Sequence, residues 1–182
     1  MSTILTNKQI YTKHVREYRK NMRKFLLTSR FNTTTWHENE SYRKNNPNAG
    51  CIYCSPDPIT QKIPAESIMF ILEMNNDTNR IMGIGMLRNR ASPRRIQVYD
   101  EGNYNRYVYI GSVRIAREDM TTDEEDVMKA FDILCFKGNR HMKRGQGLKS
   151  FPIEMLFNCS RQIDLVEFIS KMFKARLTEK DK

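Results

Sequence analysis

Two apolar runs joined by a short polar connection dominate the middle of the chain. Ser67-Ile68-Met69-Phe70-Ile71-Leu72-Glu73-Met74 leads through Asn75-Asn76-Asp77-Thr78-Asn79 into Arg80-Ile81-Met82-Gly83-Ile84-Gly85-Met86-Leu87. Apolar runs separated by an Asn/Asp-rich step predict a β-hairpin, because those residues tolerate the backbone of a tight turn. Gly83 and Gly85 fall inside the second run, where glycine marks a bulge or a close approach of backbone or ligand. A second pair of runs, residues 95–99 and 107–115, extends this β-rich centre.

Helical periodicity flanks it. Over residues 6–29, Ile10, His14/Val15, Tyr18, Met22 and Phe25/Leu26 recur at three- and four-residue steps and predict an amphipathic helix. Residues 31–66 are polar and irregular, and prolines at 47, 56, 58 and 64 argue against helix there. A further helix is expected from about Thr122, whose spacing to Glu125 suits a capping box, with Val127, Phe131 and Leu134 on one face. The carboxylates of residues 118–126 complement the dipole of that helix, a sufficient structural account of them. Residues 160–177 carry a broad apolar face that suits docking on a sheet. The pattern predicts an α+β chain: a basic N-terminal helix (1–30), a loop region (31–66), and a β core with C-terminal helices (67–177), together one domain.

Charge adds a partner. Lys and Arg number 31 against 21 Asp and Glu, a net charge of +10, which attracts polyanions. The charge is clustered. The N-terminal helix carries Lys8, Lys13, Arg16, Arg19, Lys20, Arg23 and Lys24 against a single acid, Glu17, whereas a solvated helix tends to alternate signs. Arg88, Arg90, Arg94 and Arg95 interleave with Tyr99 and Tyr104, pairing charge for phosphates with rings for bases. Tyr107 and Tyr109 read better as filling the faces of a strand. Residues 137–149 hold five basic side chains, Lys143 and Arg144 among them, three glycines and no acid. Such a loop can turn backbone N–H groups toward a phosphate, although it lacks the Gly-x-x-x-x-Gly-Lys-Ser/Thr of a P-loop. Trp36, the single tryptophan, fills a core as readily as it offers a stacking surface.

Candidate chemistry is sparse. Cys51-x-x-Cys54 has the spacing of half a tetrahedral zinc site, and His37, Cys135, His141 or Cys159 would have to complete it. Ordinary loop cysteines or a redox pair fit the same spacing. The three histidines, at 14, 37 and 141, stand in no motif with a nucleophile and a carboxylate, so a non-enzymatic protein is expected. No apolar run approaches the ~20 residues of a membrane span, and residues 1–11 lack the apolar core of a signal peptide. A soluble intracellular protein without a membrane partner is therefore expected.

The central hairpin resembles the PUA-like superfamily, in particular the YTH and EVE domains that read modified bases. Phe70-Ile71-Leu72-Glu73-Met74-Asn75-Asn76 followed by Ile81-Met82-Gly83-Ile84-Gly85-Met86 carries the likeness, with Tyr107-Val108-Tyr109-Ile110-Gly111-Ser112-Val113-Arg114-Ile115 as the next strand. Lys143-Arg144-Gly145-Gln146-Gly147-Leu148 looks like the family's later Ser-Arg-Asp-x-Gln loop, which implies a phosphate contact by Arg144. The resemblance covers residues 67–150 and implies a small PUA-like β-barrel flanked by helices. It also implies a pocket for an unstacked base beside Asn76, Gly83 and Gly85, with Trp36 and either Tyr99 or Tyr104 as ring walls. The sequence around Trp36 departs from the family's cage-tryptophan segment. Over its whole length the chain is similar to an uncharacterised protein family of nucleocytoplasmic large DNA viruses, through Cys-Ile-Tyr-Cys-Ser, Met-Gly-Ile-Gly and His-Met-Lys-Arg-Gly-Gln-Gly. That likeness implies action in the cytoplasm or nucleus of an infected cell, or in the virion.

The expectation is a reader of RNA or single strands. The base would meet Trp36, Asn76, Gly83, Gly85 and Tyr104, and the backbone would meet Lys20, Arg23, Arg88, Lys143 and Arg144. The rival expectation is a structural or recruitment protein whose N-terminal helix offers its apolar stripe to a protein partner or a second copy.

Overall fold

The computed structural model describes residues 6–180; residues 1–5 of the expected N-terminal helix lie outside them. In chain order the elements are α1 (Asn7–Asn21), β1 (Lys24–Phe31), α2 (Thr33–Asn45), β2 (Cys51–Ser55), β3 (Ile68–Asn75), β4 (Arg80–Arg88), β5 (Tyr107–Gly111), β6 (Val113–Ala116), α3 (Thr122–Phe136), β7 (Leu148–Ser150), α4 (Ile153–Cys159) and α5 (Leu165–Lys180). Five strands form a mixed sheet in the order β6-β4-β3-β1-β7, and β2 pairs with β5 in a separate two-stranded sheet. The chain is thus α+β, as the patterning predicts. The expected barrel closure is absent: the larger sheet ends at two edges, β6 and β7, and β5 bonds to β2 instead of extending it.

The predicted hairpin is β3 and β4, paired antiparallel from Ile68↔Arg88 to Asn75↔Arg80. The predicted N-terminal helix is cut short. A Thr6–Gln9 capping box starts α1, but the chain leaves helical geometry at Met22 and re-enters as β1, parallel to β3. Phe25-Leu26-Leu27-Thr28 carries both a helical stripe and an apolar strand run. Long-range pairing with β3 decides between them, because β1 buries both of its faces there. The apolar stripe of α1 packs on the chain itself. Tyr11 and Tyr18 meet Phe157 of α4 edge-on at 5.6 and 5.7 Å, and Tyr18 and Met22 lie against the core. Of the stripe expected for a protein partner, Tyr18 and Met22 pack on the chain itself, while Ile10 is exposed.

The region 31–66 is less irregular than expected. Asn32 caps α2 with its side chain on the Thr35 N–H, and only Trp36 and Asn39 of this helix are buried. A helix with two buried positions leaves no 3.6-residue apolar repeat to detect. β2 is buried at all five positions and shows no strand alternation. Residues 95–99 form no strand, and the expected strand 107–115 breaks at Ser112 into β5 and β6, which belong to different sheets.

Helices α3 and α5 cover one face of the larger sheet, with Leu26, Phe70, Leu72, Ile84 and Ile115 meeting Met128, Phe131, Ile169 and Phe173. The β2–β5 sheet and α2 cover the opposite face, against Leu27, Met69 and Ile71. The α3 capping box is Thr121–Glu124, one residue earlier than its predicted spacing. Within the acidic run Glu125 is bound by Arg117, which also holds Asp132, and Glu124 is bound by Arg176. No described helix is long and apolar enough to cross a membrane.

An ion pair crosses the middle of the molecule. The Glu73 carboxylate, with no exposed surface, accepts from Arg114 Nε at 2.9 Å, from Arg114 Nη2 at 2.7 Å and from the Tyr53 hydroxyl at 2.7 Å. Burial works against the Arg114 charge, and the Glu73 carboxylate outweighs it, holding the guanidinium above its ordinary pKa. This cluster explains both odd glycines. A Cβ on Gly83 would stand 2.8 Å from both Glu73 Oε2 and Arg114 Nη2, and a Cβ on Gly85 would overlap the Tyr53 hydroxyl. Gly83 and Gly85 therefore admit the chain's own side chains, and the expected approach of a base at these positions is corrected. Removing one partner of a buried pair leaves the other charge unmatched, at a cost of about 3–5 kcal/mol. Arg114→Met is expected to lower unfolding stability by about that amount in urea titration; a variant as stable as wild type would refute the central role of the pair.

Candidate functional site

The parallel strands β1 and β3 end side by side, and the Asn76 N–H donates to Phe31 O at 2.8 Å. The chain leaves β1 into α2 and β3 into the β4 turn, so a corner opens where the two strands stop. A pocket of about 170 Å3 occupies it. Phe31, Tyr99 and Tyr104 supply rings, Arg30 and Asn76 supply polar groups, and Gly145-Gln146-Gly147 closes one side. The volume is near that of cavities that accept a single aromatic ring, about 150 Å3.

Each wall is held from behind. The Trp36 ring meets Phe31 edge-on at 5.2 Å and is flanked by the guanidinium groups of Arg43 and Arg114, each 5.6 Å from its centroid. Tyr99 is buried, and its hydroxyl accepts from Asn39 Nδ2 at 3.1 Å. Burial pushes the Tyr99 phenol above its ordinary pKa and keeps it neutral. The Asn105 carboxamide oxygen accepts from the Val98 and Tyr99 N–H groups, which fixes the turn that sets Tyr104 edge-on to Tyr99, centroids 6.4 Å apart. The glycine loop is anchored at Gly147, where φ is +64° and a Cβ would overlap Ser55 Oγ. Ser55 Oγ in turn accepts the Leu148 N–H at 3.3 Å.

Unmatched polar atoms gather at this corner. Asn76 Nδ2 donates to Lys143 O at 3.0 Å, while its buried Oδ1 has no partner among the described residues. Arg30 Nε donates to Met142 O, while its buried Nη1 has none among the described residues. Burial lowers the Arg30 pKa from its usual value, with the nearby Cys135 working in the opposite sense. His141 Nδ1, in the loop that supplies those carbonyls, is also buried without a partner among the described residues. Each such atom costs about 1–3 kcal/mol. Asn76 and Arg30 thus border a ring-lined pocket, and each holds a further polar atom that is buried and unpaired among the described residues.

The expected site residues separate into groups. Asn76 and Tyr104 line the pocket, the Lys143 carbonyl braces Asn76, and Arg144 stands exposed at the head of the glycine loop. Lys143 Nζ is tied to Asn79 Oδ1 at 2.8 Å. Trp36 is a core residue, 6% exposed, supporting Phe31 from behind, and does not face the pocket. Arg88 lies at the opposite end of the sheet, paired in register with Ile68 and donating to Glu66 O. Lys20 and Arg23 also lie at that far end, before the start of β1. Arg30 and Phe31 escape sequence reading because the first closes the expected helix and the second opens the expected loop region, and neither offers a reason to look for a strand terminus. The available signal is Phe25-Leu26-Leu27 read as a short buried strand with Arg30 near its end.

Cys51 and Cys54 do not form half a metal site. Three residues apart on one strand, they project from opposite faces. Cys51 Sγ lies 3.8 Å from Met86 O and 3.5 Å from Val113 O, whereas Cys54 lines the pocket. Among the described residues no group of three or more His, Cys, Asp or Glu is placed to hold a metal ion. Burial pushes the Cys54 thiol up to about 12, and burial with the neighbouring Glu73 carboxylate does the same for Cys51.

Comparison with protein-family models, with curated proteins and with solved structures finds no match.

The thiol that borders the pocket is protonated at neutral pH. Alkylation of the native protein is expected to be fastest at half-buried Cys159 and slow at Cys54, with the Cys54 rate rising about tenfold per pH unit below its pKa. Peptide mapping after a timed iodoacetamide pulse measures both, and rapid labelling of Cys54 at neutral pH would contradict its placement.

Proposed function

We propose that this protein binds single-stranded nucleic acid, RNA in the first place, and holds one unstacked base in the corner pocket between β1 and β3. The observation that carries the reading is the corner pocket itself, lined by Phe31, Tyr99 and Tyr104 with Asn76 and the glycine loop at its sides. Base edges carry donors and acceptors suited to the polar residues of this lining, and the aromatic rings receive the base's faces or edges. A pocket of this size takes a base only after it has left the stack, which favours single strands and loops over duplex. Exposed Arg144 and the glycine loop stand where the sugar-phosphate of that nucleotide would emerge. The net charge of +10 supplies the long-range attraction.

On this reading the open sheet and the β2–β5 ribbon together stand in for a PUA-like pseudo-barrel, with the base site moved from the glycines of β4 to the ends of β1 and β3. The host-cell setting implied by the viral likeness belongs to the same proposal.

Fluorescence anisotropy with labelled single-stranded RNA tests it. Tyr104→Ala is expected to weaken binding by about 1–3 kcal/mol, the usual loss of one stacked base. Asn76→Ala is expected to weaken it while changing which base is preferred. Lys143→Gln with Arg144→Gln should flatten the plot of log K against log salt by about 0.7 for each phosphate that the protein no longer neutralises. No measurable binding, or an affinity independent of salt, would sink the proposal.

A further inference from the structure

A second cleft lies at the other end of the β7 edge. Its volume is about 220 Å3, and it opens between the C-terminal end of α1, the start of β1 and residues 60–64. Its floor is apolar, with half-buried Phe25 and Met22 beside Ile63, and its rim carries Arg19, Lys20, Arg23 and Lys62. No carboxylate is among its described lining residues. Arg23 Nη1 donates to Lys20 O and Met22 O, which holds that guanidinium at the rim by capping the end of α1. The combination of an aromatic floor and cationic rim suits a base flanked by phosphates better than a neutral apolar ligand.

The two clefts are joined by one short piece of chain. Gly147 borders the corner pocket and Ser150 borders the second cleft, with the three-residue edge strand β7 between them. Lys149 and Ser150 are exposed along that edge. From Phe25 to Phe31, β1 advances six residues, or about 20 Å at 3.3 Å per residue. A stacked strand of about six nucleotides covers that distance at 3.4 Å each, and fewer do when extended.

We infer that the second cleft is a second base subsite of the same strand. Phe25 receives the base, Arg19, Lys20, Arg23 and Lys62 hold its phosphates, and the intervening backbone follows the β7 edge past Lys149. This rests on the reading of the corner pocket as a base site. It accounts for the placement of Lys20 and Arg23, which the corner pocket alone leaves unused.

The test compares labelled single-stranded RNAs of about three and about ten nucleotides, of which only the longer spans both clefts. The wild-type protein is expected to bind the longer one at least about tenfold more tightly. Lys20→Gln with Lys62→Gln, and separately Phe25→Leu, should remove most of that gain while leaving the short RNA unaffected, with thermal melts confirming that each variant is folded. Tyr104→Ala should weaken binding to both lengths. If the Lys20/Lys62 variant binds both lengths like wild type, the second subsite is refuted while Tyr104→Ala still decides the first. If Tyr104→Ala is silent and the Lys20/Lys62 variant still weakens binding to the longer RNA, the corner pocket reading fails and the basic track stands. Equal wild-type affinity for the two lengths would overturn the inference.

Discussion

The contact between Glu73 and Arg114 sets the internal geometry of this molecule. A carboxylate and a guanidinium taken out of water each incur several kcal/mol of desolvation, recovered only where geometry and extra hydrogen bonds are good. Here the pair is bidentate and Tyr53 adds a third donor. Glu73 stands where the β3–β4 register shifts between Leu72 and Met74, and such an irregularity re-aims a side chain. The ion pair thus ties three parts of the fold together: β3 through Glu73, the β6 edge through Arg114, and the β2–β5 sheet through Tyr53. Glycines at 83 and 85 leave the room it needs.

From that pair a chain of contacts leads to the corner pocket. Arg114 and Arg43 each lie over the Trp36 ring, and Trp36 supports Phe31. Phe31 is the last residue of β1 and a wall of the pocket. Arg43 also donates to Asn39, which holds the Tyr99 hydroxyl. Two of the three rings at the pocket are therefore braced by a packed polar and aromatic network. Preorganisation of this kind lowers the cost of binding, since the walls need not be ordered when a ligand enters. The third ring, Tyr104, is half-exposed.

Much of the architecture was legible along the chain because its signals are local. The β3–β4 hairpin announced itself through two apolar runs and an Asn-rich turn, and α3 and α5 through apolar faces at helical spacing. The glycine loop near residue 145 was visible as a basic segment without acids. What stayed hidden depended on partners far away in sequence. Phe25 and Leu26 complete a helical stripe, and only the place beside β3 makes residues 24–31 a strand. α2 buries two residues, too few to show a period. Gly83 and Gly85 signalled a close approach correctly, yet nothing local distinguishes a ligand from Tyr53, Glu73 and Arg114. Asn76 and Tyr104 were legible as candidates; Arg30 and Phe31, which complete their pocket, were not.

The sequence by itself determined the α+β class, the hairpin at the centre, the excess of positive charge and the clustering of that charge, since propensity, periodicity and net charge are properties of neighbours along the chain. Tertiary structure alone decided which side chains meet. It separated Cys51 from Cys54 by the alternation of one strand, drew Trp36 inward, and brought Arg30, Asn76 and the Gly145–Gly147 turn to one corner. The physical reason is that burial and hydrogen-bond satisfaction are settled between segments. A buried carboxylate is stable only where a guanidinium from a distant strand reaches it, and an unpartnered carboxamide oxygen becomes informative only once its surroundings are known.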